Sequence, residues 1–236
     1  MDFKRYRKYY LARTFWFRYV GIGLVVLGAA MFVLGYMNYN YFIMPTGVFF
    51  AILGGVVGWA PSAGRADDKE IMSAIARETE GAVDKALETT GLRPHIVETL
   101  PPILVCGFYY DVKNPYVRRG GDGHWRTSDC AYTTLIFTKL GICAVIDRFS
   151  LTDENTIKTE QIKQLPFSDF DGAHFEEDEH IIAYGNTSET ARFSRIVFTL
   201  GGDVVFSVPA ERSASVEIAV EDVLKLRQRT LNSQNN

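Results

Sequence analysis

The chain has 236 residues, 47% of them hydrophobic and 22% charged, with a formal net charge of −3. That composition supports one or two folded domains and excludes wholesale disorder. A dedicated nucleic-acid binder is basic overall, so nucleic acid is not expected as a partner; three cysteines without metal-ligand spacing exclude a disulfide framework and fit a thiol-reducing compartment.

Residues 1–18 read as a basic arm, in which Lys4, Arg5, Arg7, Lys8, Arg13 and Arg18 are opposed only by Asp2. Residues 19–60 then hold two uncharged stretches, Tyr19 to Tyr36 and Tyr41 to Ala60, joined by Met37 to Asn40. With its aromatic flank, each reaches the roughly 20 residues that a helix needs to cross a bilayer. So short a link predicts an antiparallel transmembrane helical hairpin. A buried hairpin in a soluble core is the competing reading, and two consecutive stretches without a charge disfavour it. A cleaved leader is disfavoured too, because aromatic residues and a second span follow the first. Pro45 falls in the first turn of the second helix, where proline is tolerated.

Small residues line both stretches and allow close helix approach in lipid. Gly54 and Gly58 form a GxxxG that serves either the hairpin's own contact or a homo-oligomer. Tyr and Trp at the edges fit an interfacial belt. The basic arm precedes the first span, the turn carries no charge and Arg65 follows the second. The positive-inside rule then puts both termini in the cytoplasm, as a multi-pass membrane protein, with the six bases of the arm at the membrane surface against anionic lipids.

Residues 61–102 read as a linker and a juxtamembrane helix, from about Asp67 to Thr90, ended by Gly91 and Pro94. Met72, Ile75, Thr79, Ala82 and Ala86 form a weak seam, either a short coiled coil or a face packed on the following domain. From Ile103 to Val208 the chain is a series of β-branched and aromatic runs separated by turn signals, about seven strands, with weaker strand candidates at Glu160 to Leu165 and Asp171 to Glu176. Leu200 to Asp203, LGGD, is a hairpin turn. A helix from Ser213 to Thr230 carries acids early and bases late, as its dipole prefers. Residues 103–230 thus make one domain, a small barrel or sandwich, and residues 231–236 a tail.

About seven antiparallel strands closed by one amphipathic helix resemble the pleckstrin-homology-like (PH-like) superfold. The resemblance is closest to bacterial PH-like domains that follow paired membrane spans. There, a strand hairpin precedes a segment of the type hydrophobic-Pro-aromatic-Ser-Asp-hydrophobic. Here that segment is Leu165-Pro166-Phe167-Ser168-Asp169-Phe170, and the final hairpin and helix match in order over about Ile103 to Arg229. The resemblance implies an α+β protein of the inner membrane: a transmembrane helical hairpin, then a PH-like antiparallel β-barrel with a C-terminal helix. The insert from Asp111 to Asp129 is longer than the pattern expects.

Within that insert lies the loop with most chemical character. Gly120, Gly121 and Gly123 free backbone N–H groups that can cradle an anion. Arg118, Arg119 and Arg126 can grip phosphate, and His124 sits beside them. In PH-like folds an early-strand basic loop often binds phosphorylated headgroups. The plainer reading is a solvated hairpin turn with its arginines balanced by Asp122. His95, His124, His174 and His180 are scattered, so no metal and no cofactor are expected. His174 to His180 encloses four carboxylates and reads as a polar turn. Cys106 and Cys143 sit in apolar strands, and Cys130 less clearly so.

The expected function is non-enzymatic: a membrane-anchored scaffold or adaptor that presents its domain to a protein partner, by strand addition or a helix groove, or to an anionic headgroup. One alternative is a membrane-associated enzyme, which requires the Arg118–Arg126 loop and the His174–His180 run to converge in one pocket. The other is a homo-oligomeric channel, disfavoured by spans with little polarity beyond Thr46. Charge disfavours broad lipid binding by the domain. The arm carries about +5, which leaves about −8 for the rest of a chain whose total is −3.

Overall fold

The computed structural model describes residues 2–11, 15–59, 64–97, 99–110, 112, 116–153, 159–184 and 187–234. Arg13 of the basic arm and Asp111 of the insert lie outside them. The chain forms two units, Leu11–Ala66 and the remainder, in which Met1–Tyr10 joins Asp67–Asn236. The first ten residues are therefore part of the globular unit, where the sequence reads as a separate arm.

The Leu11–Ala66 unit is helical. We number the helices along the chain, so that its two are α2 (Phe15–Met37) and α3 (Ile43–Trp59). Among the described residues, only Phe17–Met37 is long and apolar enough to cross a membrane by itself, with a mean hydropathy of 2.2. The equally apolar α3 has 17 residues. It starts later than its uncharged stretch because Asn40 caps it, the Asn40 Oδ1 accepting from Phe42 N and Ile43 N at 3.0 and 3.3 Å. Glycine lets the two backbones touch. A β-carbon at Gly28 would lie 2.5 Å from Gly47 O, and one at Gly54 2.6 Å from Gly21 O. The glycines of the GxxxG, Gly54 and Gly58, thus face Gly21 of the same chain.

In the globular unit α1 is Phe3–Tyr10. The single helix expected from Asp67 is two, α4 (Asp68–Glu78) and α5 (Ala82–Thr90), because Gly81 between them takes a left-handed φ of 73°. A reciprocal Asp67–Glu70 capping box starts α4, and a left-handed Gly91 ends α5.

Nine strands follow among the described residues, all antiparallel: β1 (Ile103–Phe108), β2 (Val117–Arg119), β3 (Trp125–Thr127), β4 (Asp129–Phe137), β5 (Gly141–Ser150), β6 (Thr159–Pro166), β7 (Gly172–Tyr184), β8 (Thr187–Leu200) and β9 (Asp203–Pro209). One sheet has the order β1-β4-β5-β6 and another β7-β8-β9. The insert between β1 and β4 is the separate hairpin β2-β3. The final helix, α6 (Ala214–Gln234), follows β9.

The main core lies between the two larger sheets and α6. Alternate residues of β4 and β5 point inward, Leu135, Phe137, Ile142 and Ala144 among them, to meet Phe198 of β8 and Val220 of α6. The opposite face of the same strands is also buried. Ile136, Cys143 and Val145 pack against Ala86 and Leu87 of α5. Strands covered on both faces read as unbroken apolar runs rather than alternating ones, as residues 135–137 of β4 and 142–146 of β5 do. The Phe167–Phe170 turn after β6 drives both rings into the core, at 3% and 0% exposure, while Ser168 and Asp169 stay outside. Arg227 of α6 donates its Nε to Phe167 O at 2.9 Å, tying the closing helix to this turn.

Replacing Phe167 by Ala should lower stability by about 3–5 kcal/mol. Hydrogen exchange of the β4 and β5 amides in the full chain measures that loss, and protection equal to wild type would contradict the packing. Gly28→Leu should separate α2 from α3, because the added carbons meet Ala51 and Gly47 backbone. Faster proteolysis between Met37 and Ile43 in detergent is the expected readout.

Candidate functional site

The β2-β3 hairpin closes through Gly120 to His124, with Gly120 N donating to His124 O at 2.8 Å and a left-handed Gly123. The charged groups of the loop are engaged inside the chain. Arg126 is 92% buried at its side chain and grips Asp122 through a fork, at 2.9 and 2.6 Å. This bond, against a smaller opposing effect of burial and with help from the His124 N–H, holds the Asp122 carboxyl well below its usual range. A side chain at Gly120 would displace Arg126 Nη1, which occupies the space. Arg119 donates its Nε to Gly123 O at 3.0 Å and lies 4.0 Å from Glu189.

The anion that this glycine loop cradles belongs to the protein. Gly121 N donates to Asp68 Oδ2 at 2.7 Å, and Tyr9 OH donates to Asp68 Oδ1 at 2.5 Å. Arg118 completes the clasp. Its guanidinium lies 4.2 Å from the Tyr9 ring centre and donates to Tyr9 O at 2.7 Å. Burial pushes the Asp68 carboxyl up, but the Tyr9 and Gly121 hydrogen bonds outweigh it and leave it below the ordinary value. Burial, then Asp68, raises the Tyr9 phenol far above its ordinary value, so it stays a donor.

The helix α1 is held by the same clasp. Tyr9 is wholly buried, Tyr6 and Tyr10 nearly so, and Tyr10 OH donates to Thr127 O at 2.8 Å. Of the bases expected at a membrane surface, Arg5 pairs with Glu70 at 2.6 Å and Arg7 donates to Tyr116 OH at 3.1 Å. Lys4 and Lys8 are exposed on α1, and Arg18 on α2. The tyrosine spacing in RYRKYY is the one sequence signal of this docking. Tyr6, Tyr9 and Tyr10 share one helical face.

On its other side the hairpin roofs a cavity of about 410 Å³. Its walls are aromatic: Phe108, Tyr110, Trp125 and Phe193, with Met72 and Ile75 of α4. Tyr110 and Phe193 stack at 4.8 Å, and the Tyr110 OH is tied to Trp125 O at 3.0 Å. Arg126 is the buried ionised group of the wall; its Nε finds no hydrogen-bond partner among the described residues. An unmade buried bond costs about 1–3 kcal/mol. At the mouth are His124, Arg192, Glu211 and Arg212. Arg192 is paired with Glu179 and Arg212 with Glu217. These residues come from five separate segments, so no local motif announces the cavity.

The other singled-out residues do not join it. His174 to His180 lies within β7, not in a turn. Its Glu176 and Asp178 both reach Arg195 on β8 at 3.0 Å. None of the seven residues lines the cavity, so the convergence required of an active site shared with the Arg118–Arg126 loop is not found there. His180 instead stands 5.7 Å, ring to ring, from Tyr110. Cys106 and Cys130 do line the cavity. Burial pushes the Cys106 thiol up to about 12 and Cys130 well above its ordinary value, so both are neutral thiols. Among the described residues no group of three His, Cys, Asp or Glu could hold a metal ion.

Comparison of the chain with protein-family models, with curated proteins and with solved structures finds no match.

The clasp predicts an acid dependence. A carboxyl depressed in the folded state contributes its full stabilisation above the ordinary carboxylate range and loses it as pH falls through the depressed value. Asp68→Asn should weaken the clasp by about 1–3 kcal/mol at neutral pH. The measurement is hydrogen exchange at the Gly121 amide, and wild type and variant should converge in acid, where the wild-type carboxylate is protonated as well.

Proposed function

We propose that this chain is a membrane-anchored, non-enzymatic binding protein. In this reading α2 and α3 form a two-span transmembrane hairpin. The globular unit is a PH-like domain on the cytoplasmic face, held against the bilayer for a protein partner or an anionic ligand.

The observation that carries the reading is the Tyr9–Asp68 bond. The chain leaves the globular unit after Tyr10 and rejoins it at Asp67, and this bond holds the two points together. A segment that departs and returns at one place crosses a membrane an even number of times. If the apolar helix Phe17–Met37 spans, α3 must span back. Its 17 residues extend about 26 Å at the helical rise, at the short end of what a hydrocarbon core needs. Lys4, Arg5, Arg7, Lys8 and Arg18 before the hairpin and Arg65 after it favour the cytoplasm for both ends, since Met37 to Asn40 carries no charge.

Support for the PH-like part is the strand order. A four-stranded meander is followed by a three-stranded one and a closing helix, with the Leu165–Phe170 segment at the junction of the two sheets. The β2-β3 hairpin is then an insertion between the first two strands of the meander. The binding role rests on the aromatic cavity beneath that insertion.

A reporter fused after Asn236 should be active only in the cytoplasm, and one inserted at Asn38 only outside. Activity of both reporters on one side would overturn the two-span anchor.

A further inference from the structure

We propose that the cavity under the β2-β3 hairpin binds a small flat molecule bearing one anionic group, its ring between the aromatic walls and its anion on Arg126 in place of Asp122. The proposal deepens the binding reading by naming a ligand class. It rests on the cavity alone and not on the membrane topology.

The cavity has the size and makeup of a small-molecule site. At about 410 Å³ it lies within the usual range of roughly 300–1,000 Å³. Phe108, Tyr110, Trp125 and Phe193 supply ring surfaces, and flat apolar ligands lose little freedom when sandwiched against such rings. An apolar wall alone would not discriminate charge. Arg126 changes that, because it is a cation with 8% side-chain exposure in a wall that it shares with these rings.

A buried cation needs a counter-ion. In this structure it is Asp122, and the two partners are not equivalent. Asp122 is 46% exposed, on a turn flanked by Gly120, Gly121 and Gly123. It can return to water by giving up the guanidinium fork and the bond that its Oδ1 accepts from His124 N at 3.1 Å. Arg126 cannot, since it lies under the hairpin with Gly120 packed against its guanidinium. An incoming carboxylate or phosphate presents the same pair of acceptors to the guanidinium fork. Asp122 therefore acts as a resident surrogate that keeps the fork occupied until a ligand replaces it. The other arginines of the lining add nothing to this preference, since Arg192 is paired with Glu179 and Arg212 with Glu217.

The hairpin that holds the surrogate also holds the clasp. Gly121 N bonds Asp68 one residue from Asp122, and α4, which starts at Asp68, supplies Met72 and Ile75 to the cavity wall. Displacing Asp122 thus acts on the loop that fastens α1.

The test titrates the full chain in detergent with naphthalene-2-carboxylate and with the neutral naphthalene-2-carboxamide, by calorimetry against a detergent blank. Wild type should bind the carboxylate at least about ten-fold more tightly. Arg126→Gln should erase that preference. Asp122→Asn removes the surrogate and should bind the carboxylate several-fold more tightly than wild type. A purely structural Arg126–Asp122 pair would instead give an Asp122→Asn variant with no gain. If Arg126→Gln does not fold, Asp122→Asn decides alone. Equal affinity of wild type for the two probes, no saturable binding of either, or no gain in Asp122→Asn overturns the proposal. Topology is read by the separate reporter assay, so a failed titration leaves the anchor reading standing.

Discussion

The Tyr9–Asp68–Gly121 clasp is the contact on which the arrangement of the chain depends. It joins three segments that are remote in sequence: the end of α1, the start of α4 and the tip of the β2-β3 hairpin. Closing a long loop costs little more than closing a short one, about 0.6 kcal/mol per doubling of length. Two charge-assisted hydrogen bonds, a cation over a ring and one fully buried tyrosine therefore fasten Tyr9 to Asp68 within the globular unit across the long stretch of chain between them. Because the same bonds order the hairpin, they also shape the roof of the cavity.

The rest of the globular unit supports that arrangement by burying β4 and β5 on both faces. The inner face meets the second sheet and α6; the outer face meets α5. Once α5 is fixed on the outer face, the turn at Gly81 sets where α4 runs, and α4 carries Asp68 at one end and cavity residues Met72 and Ile75 along its length. A smaller core of Tyr110, Ile182 and Ala191, with Phe108 and Val117 against it, anchors the hairpin to β1 and to the far ends of β7 and β8. The insertion is thus part of the packed structure rather than a loop standing in solvent.

Charge in this region is arranged inward. A basic, glycine-rich loop ordinarily offers its N–H groups and arginines to an external anion. Here Asp68 takes the N–H of Gly121, Tyr9 takes Arg118 and Asp122 takes Arg126. The β7 carboxylates find Arg192 and Arg195 on the neighbouring strand in the same manner. Arg126 is the exception in one respect. Its counter-ion sits at the rim of a cavity and can leave it, which makes a local ion pair exchangeable for a ligand.

Much of the secondary structure and its order is legible in the sequence. Hydropathy marked the apolar helices, β-branched runs and turn signals marked most strands, and Pro166 with Phe167 and Phe170 marked the turn that enters the core. These are local properties, in which each residue's surroundings are its chain neighbours. Gly81 splitting one helix into two was also written in the sequence, but glycine is tolerated within helices often enough that its left-handed φ appears only when the two halves pack differently. The remainder depends on packing between segments remote in the chain. RYRKYY reads as membrane-interface aromatics because nothing local says that a domain beginning near residue 67 will bury Tyr9. His174 to His180 reads as a polar turn because its charges hide a strand whose partners, Arg192 and Arg195, lie well beyond it in sequence. The cavity was least legible of all. Its aromatic walls come from β1, β3, β8 and the residues beyond β1, each of which reads separately as ordinary core, and only the register of the sheets and the docking of the hairpin bring those rings round one buried arginine.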